Sequence, residues 1–144
     1  MNDATTSPRG DGGGGGEPLD LEAFVALDAA VRDERLQSTG DPDAELRRLG
    51  DEAERAVSTD PAIALERLEM VGEAADRLGH PGAAARASRG RVLAMAYLGR
   101  LEAAAEFAAS ERESAEASGE TIEAARLRLA AMQPLLKLGR VAEA

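Results

Sequence analysis

The sequence of 144 residues contains no cysteine, no tryptophan and only three aromatic side chains. Because β-strands favour aromatic and β-branched residues, this scarcity argues against a β protein. The lack of thiols and the single histidine, His80, leave no cluster of ligands at the spacing that metal sites use. We therefore expect a protein that is not an enzyme and that carries no metal and no cofactor.

Basic residues are also in the minority, with 17 lysines and arginines against 27 aspartates and glutamates. The net charge of −10 opposes binding to nucleic acid or to an anionic membrane surface. No stretch reaches the roughly 18 consecutive apolar residues of a membrane span. The first 17 residues resemble neither a secretory signal nor a transit peptide. These absences predict a cytoplasmic protein.

Residues 1–18 include five consecutive glycines, at positions 12–16, and almost no apolar side chains. Such a segment buries too little to offset the entropy of ordering it. We therefore predict a disordered glycine-rich tail over residues 1–18. The folded domain is expected to occupy residues 19–144.

Alanine is abundant, with thirty-one residues, and from Leu19 onward glycine and proline interrupt the sequence about every twenty residues. Glycine accepts the left-handed conformation that follows a helix end, and proline fits the first turn of the next helix. Asp41 and Asp60, each directly before a proline, are predicted N-caps, and Thr121 is a third candidate. The interruptions are Gly40-Asp41-Pro42, Asp60-Pro61, Gly79-His80-Pro81, Gly99-Arg100, Gly119-Glu120 and Gly139-Arg140.

Between these interruptions the apolar residues follow helical spacing, as in Leu46, Leu49, Ala53 and Val57. Residues 19–38 are predicted to form a helix that caps or begins the series. Helices joined by turns of two or three residues pack as antiparallel hairpins. The sequence thus predicts an all-α protein.

Several segments recur forty residues apart, so that Leu98-Gly99-Arg100 returns as Leu138-Gly139-Arg140 and Ala84-Ala85-Arg86 returns as Ala124-Ala125-Arg126. A two-helix unit that repeats at this spacing is typical of an α-solenoid, in which each hairpin buries its face on the next. We expect about three such hairpins.

The segment from Tyr97 to Glu106 is similar to the turn and second-helix start of tetratricopeptide repeats (TPR), in their bacterial form of about forty residues. Ala104 stands where that family needs a small residue. Residues 121–141 resemble the following repeat. Residues 56–65 resemble the opening repeat of large bacterial proteins that carry these arrays ahead of another domain, often a protease of the CHAT type. The resemblance covers residues 42–144 and implies stacked antiparallel hairpins.

The sequence also departs from the family pattern. Val92 and Met132 stand where the family prefers a small residue in the middle of the first helix. Pro134 lies within a predicted helix and is expected to kink or split it, at a cost of about 3 kcal/mol.

The resemblance implies a protein–protein interaction module or scaffold that binds a peptide or protein in a concave groove. Arg86 and Arg126 share a register, so their guanidinium groups are candidates to hold the carboxylates of an acidic peptide. Alternatively, both lie on apolar helix surface or pair with glutamates such as Glu120 and Glu123. The implied partner-binding residues are Arg86, Arg89, Leu93 and Tyr97 in one unit and Arg126, Leu129, Gln133 and Lys137 in the next.

Two other functions fit the same pattern. In the first, the chain is the sensor or regulatory arm of a larger signalling protein, which is either a CHAT-type protease or a transcriptional regulator. In the second, it is a structural repeat that forms a homodimer through its solenoid ends. Val141 to Ala144 resemble the first turn of another helix, so we expect the protein to continue beyond residue 144. His80 is interpreted as a turn residue.

Overall fold

The computed structural model describes residues 18–144, so the disordered tail predicted for residues 1–18 lies, apart from Pro18, outside the described residues. Residues 18–144 form seven α-helices and one short 3₁₀ turn, and none of them is in a β-strand. The fold is therefore all-α, as predicted. The helices are α1 (Leu21–Ala26), α2 (Ala29–Gln37), α3 (Pro42–Glu54), α4 (Pro61–Leu78), α5 (Pro81–Tyr97), α6 (Leu101–Ala117) and α7 (Thr121–Lys137), and the 3₁₀ turn is Val141–Glu143.

The predicted helix caps are largely confirmed. Oδ1 of Asp41 accepts a hydrogen bond from the backbone nitrogen of Ala44 at 3.0 Å, and Asp60 caps α4 in the same way. Thr121 is instead the first residue of α7, where Glu120 precedes the helix without a side-chain cap. A left-handed φ costs a residue with a side chain about 1–2 kcal/mol, so glycine is favoured after these helices. Such glycines, with φ between 74° and 77°, are Gly79, Gly99, Gly119 and Gly139.

Residues 19–38 form two short helices, and the prediction of one continuous helix is wrong. The backbone of Leu27 is extended, with φ −83° and ψ 151°, which ends α1. Arg32 stabilises this break, because its Nε and Nη2 donate to the carbonyl oxygens of Phe24 and Val25 at 2.7 and 3.0 Å. The same guanidinium lies 5.2 Å from the centre of the Phe24 ring.

The connection between α3 and α4 covers residues 55–60 and is longer than the predicted two or three residues. It still contributes to the core, because Val57 is buried together with the rest of its predicted stripe on α3. The later connections have the predicted two or three residues.

Helix α7 continues through Pro134, so the predicted split does not occur. The proline ring is fully buried, and its carbonyl oxygen still accepts a hydrogen bond from the backbone nitrogen of Leu138 at 3.0 Å. Packing of the ring in the core accompanies the loss of one helical hydrogen bond.

Helix α5 is central to the packing, since it contacts α3, α4, α6 and α7. It buries small residues on several sides, as expected of a helix surrounded by others. Two apolar clusters form the core, one from α1 to α5 and one from α5 to α7. Alanine dominates the second, which buries less apolar area per residue than leucine would.

Candidate functional site

The two arginines predicted for the groove on α5 are both held by carboxylates of α3. Nε and Nη2 of Arg86 donate to Oδ1 and Oδ2 of Asp51, each at 2.7 Å, in a bidentate pair. Nη2 of Arg89 lies 3.1 Å from Oε2 of Glu54. Each of these guanidinium groups therefore connects α5 to α3 through an ion pair within the chain.

The remaining α5 residues of the predicted set differ in exposure. Leu93 is partly buried against the first core cluster. Tyr97, at the end of α5, has a relative exposure of 60%. Of the four predicted residues on α5, only Tyr97 is both free of an ion pair among residues 18–144 and well exposed.

On α7 the predicted residues face solvent, although the arginine is again paired. Nη1 of Arg126 donates to Oε1 of Glu123 at 2.9 Å, which is the glutamate pairing considered as an alternative above. Leu129, Gln133 and Lys137 are exposed. Arg86 and Arg126 thus each have an intramolecular carboxylate, which weakens the prediction of a two-arginine site for acidic peptides.

Glu123 is a buried charge at the N-terminal end of α7, with a relative exposure of 4%. Besides Arg126, Nη1 of Arg47 on α3 lies 3.8 Å from its Oε1. Its Oε2 is buried without a hydrogen-bond partner among the described residues. A hydrogen bond to Asp43 raises the pKa of the Arg47 guanidinium, so this partner stays charged. The arrangement links α3 to α7, and the carboxylate of Glu123 itself is not accessible to a ligand.

Helix α7 carries an exposed apolar surface that we call the α7 stripe. Ile122, Leu129 and Leu136 are seven residues apart and therefore lie on one side of the helix. Met132, one helical turn further along, adjoins them. The relative exposures are 68% for Ile122, 65% for Leu129, 50% for Leu136 and 39% for Met132.

Helix α5 buries the corresponding side. Forty residues before Ala125 and Met132 are Ala85 and Val92, and both are buried in the core cluster that α5 shares with α6 and α7. Ala125 and Met132 are exposed. Within residues 18–144, the α7 stripe is more exposed than its α5 counterparts, because Gly82 and Val92 are buried and Arg89 and Ala96 are partly buried.

A second exposed feature is the α6–α7 groove, which consists of two adjoining clefts of about 360 and 510 Å³. Arg112 on α6 and Arg128 on α7 line both clefts. The apolar lining of the cleft of about 360 Å³ comes from Ala105, Ala108, Ala109, Leu127, Ala131 and Leu135.

The prediction from sequence missed Arg112, Arg128 and most of the α7 stripe. The forty-residue register contains part of the signal, because it relates most exposed residues of α7 to buried or partly buried residues of α5. Whether a face of α7 is exposed depends on which helices pack beside it. The sequence of α7 alone does not give that information.

Residues 18–144 contain no group of three or more histidine, cysteine or acidic residues placed to hold a metal ion. None of the helices in the described range is both long and apolar enough to cross a membrane. Comparison of the chain with protein-family models, with curated proteins and with solved structures gave no significant match.

Proposed function

We propose that this chain is a protein–protein interaction module of the TPR type, in which helical hairpins stack as a solenoid. Two observations support the stacked arrangement. The α5 helix packs on the two helices that precede it and on the two that follow it. The same left-handed glycine turn also recurs every twenty residues. The module acts by binding a peptide or protein and performs no catalysis.

The α7 stripe is the observation on which this function depends. Soluble chains place large apolar side chains singly on their surface, whereas a row of them marks an interaction surface. The predicted residues Leu129 and Gln133 lie on this part of α7, with Arg126 beside them. The partner-binding surface is therefore α7, and the arginines of α5 stabilise the fold instead.

The test is selection from a displayed library of helical peptides against the 144-residue chain. Peptides that bind are remeasured by calorimetry with Leu129→Asp and with Val31→Asp. Val31 is a matched control because it is an apolar residue on α2 that is 41% exposed. We expect Leu129→Asp to weaken binding at least about tenfold and Val31→Asp to leave it unchanged.

Two results would contradict the proposed function. The first is a selection that enriches no peptide. The second is a set of peptides whose affinities respond equally to the two substitutions. Circular dichroism of both variants checks that the helices are retained.

A further inference from the structure

The α6–α7 groove has the length and shape to receive a helix. Its two clefts extend from Leu135, near the end of α7, to Thr121 at its beginning. Fourteen residues of helix correspond to about 21 Å, or roughly four helical turns. The floor is built mainly of alanines, so the backbone of an incoming helix can approach closely.

The chain itself provides a template for how this surface is covered. The α5 residues forty positions before Arg128 and Ala131 are Ser88 and Arg91. Both are contacted by α6. Oγ of Ser88 donates to Oε2 of Glu111 at 2.8 Å, and the Arg91 guanidinium lies 4.2 Å from the centre of the Phe107 ring. On α5, this side is thus covered by the amphipathic helix α6, which contributes the carboxylate of Glu111 and the ring of Phe107.

The basic side chains of the groove are suited to a carboxylate that lies against Arg128 as Glu111 lies against Ser88. Nε of Arg112 is buried without a hydrogen-bond partner among the described residues, and its nearest paired carboxylate oxygen, on Glu116, is 3.8 Å away. Arg128 makes no ion pair within residues 18–144. Three acids also line the groove: Glu143 pairs with Arg140 at 2.6 Å, Glu116 is the acid 3.8 Å from Arg112, and Glu106 lines the same cleft as Glu143. Two guanidinium groups at the middle of the groove can share one carboxylate.

We propose that the α6–α7 groove binds an amphipathic helix of a partner protein, and that this helix places a carboxylate against Arg112 and Arg128. This inference rests on the proposed function and adds the chemistry of the partner. A second copy of the chain is a poor occupant. The α7 stripe, which holds four of the exposed large apolar side chains of a second copy, is flanked by Arg126, Arg128 and Lys137, and their charge would oppose the arginines of the groove.

The probe is a synthetic peptide with the sequence of residues 100–118, blocked at both ends, because this segment already covers the equivalent face of α5. Its affinity for the full chain is measured by fluorescence anisotropy. We expect Arg128→Glu to weaken binding about tenfold, as for loss of a charge-assisted pair. A peptide carrying Glu111→Lys should bind Arg128→Glu better than it binds the unsubstituted chain. Arg35→Glu, on the exposed side of α2, is the matched control for the change of charge.

Each other outcome identifies which proposal fails. A peptide that displaces α6 from α5 would bind Arg128→Glu as well as it binds the unsubstituted chain. That result would contradict the proposal that the α6–α7 groove binds a helix. Binding that is weakened by Leu129→Asp but not by Arg128→Glu would also contradict helix binding in the groove, and it would still support the proposed interaction function. The absence of binding at about 1 mM peptide would contradict helix binding in the groove as well. Library peptides that bind at the α7 stripe would in that case still support the proposed function.

Discussion

Arg47 on α3 reaches Glu123 on α7, with 3.8 Å between Nη1 and Oε1, although α5 packs against both of these helices. The contact is possible because residue 82 of α5 is a glycine. A Cβ atom at that position would overlap Nη2 of Arg47 and would lie 3.0 Å from Oε2 of Glu120. An absent side chain on one helix thus allows a charge interaction between two others.

This geometry predicts a coupling between Gly82 and Arg47. Gly82→Ala gains helix propensity of up to about 1 kcal/mol but displaces Arg47 from Glu123. We therefore expect Gly82→Ala to be more favourable, by about 1 kcal/mol, in an Arg47→Ala background than in the unsubstituted chain. Urea unfolding of the four proteins measures the difference. Gly72→Ala is the matched control, because its Cβ would meet only Ala87, at an ordinary 3.7 Å. Equal effects of Gly82→Ala in both backgrounds would contradict the coupling.

Arg86 should contribute to stability and not to partner binding. Its bidentate pair with Asp51 is partly exposed, so Arg86→Ala is expected to lower the free energy of unfolding by about 0.5–1 kcal/mol. The affinity for peptides selected on the chain should not change, because the guanidinium is already engaged. Urea unfolding and calorimetry on the same variant check the two statements. A loss of affinity without a loss of stability would instead indicate that Arg86 contacts the bound peptide.

The pair between Asp33 on α2 and Arg77 on α4 predicts a dependence on pH. Hydrogen bonds from Arg77 hold the pKa of Asp33 below its ordinary value of 3.8. Because the pKa is lowered in the folded state, the stabilisation is complete above the ordinary value and is lost as pH falls through the lower folded value. Asp33→Asn should therefore cost about 0.5 kcal/mol near pH 7, and this cost should shrink between about pH 4 and pH 2.5.

Urea unfolding over this pH range measures the effect, with Glu34→Gln on the exposed side of α2 as the control. A cost of Asp33→Asn that is the same at both ends of the range would refute the assignment.

The glycines of the turns differ from Gly40 in a way that mutation can detect. Gly99 has φ 77°, so Gly99→Ala is expected to lower the free energy of unfolding by about 1–2 kcal/mol. Gly40 does not have a positive φ, and no atom lies within 4 Å of a Cβ built there. Gly40→Ala should be neutral or should stabilise by up to about 1 kcal/mol. Thermal unfolding of the two variants should separate them by several degrees; equal melting temperatures would argue against strain at Gly99.

The helices from residue 42 onward were predictable because caps, glycine turns and apolar spacing are local in the sequence. Asp41 shows this directly, since its position before a proline is enough to place the start of α3. The break within residues 19–38 was not predictable in the same way. It depends on Arg32 turning back to two carbonyl oxygens, a contact that competes with continuation of the helix.

The charge pairing of the predicted groove shows a different limit. Helical spacing places Arg86 and Arg89 on one face, but it does not determine which residues of α3 lie opposite. Asp51 and Glu54 precede their partners by the same 35 residues, so a constant offset between acids and bases was a signal in the sequence. No such pair of acids lies 35 residues before Arg126 and Leu129, where Arg91 and Ala94 stand instead.

The near-identical φ angles of Gly99 and Gly139, 77° and 74°, bear on protein engineering. Residues 100–139 contain α6 and α7, each of 17 residues, and form a block that begins directly after Gly99 and ends at Gly139, two glycines of the same backbone conformation. A duplicate of this block inserted after Gly139 would leave every existing turn unaltered. The molecule could then be lengthened in steps of two helices, each helix adding a spacing of about 8–10 Å.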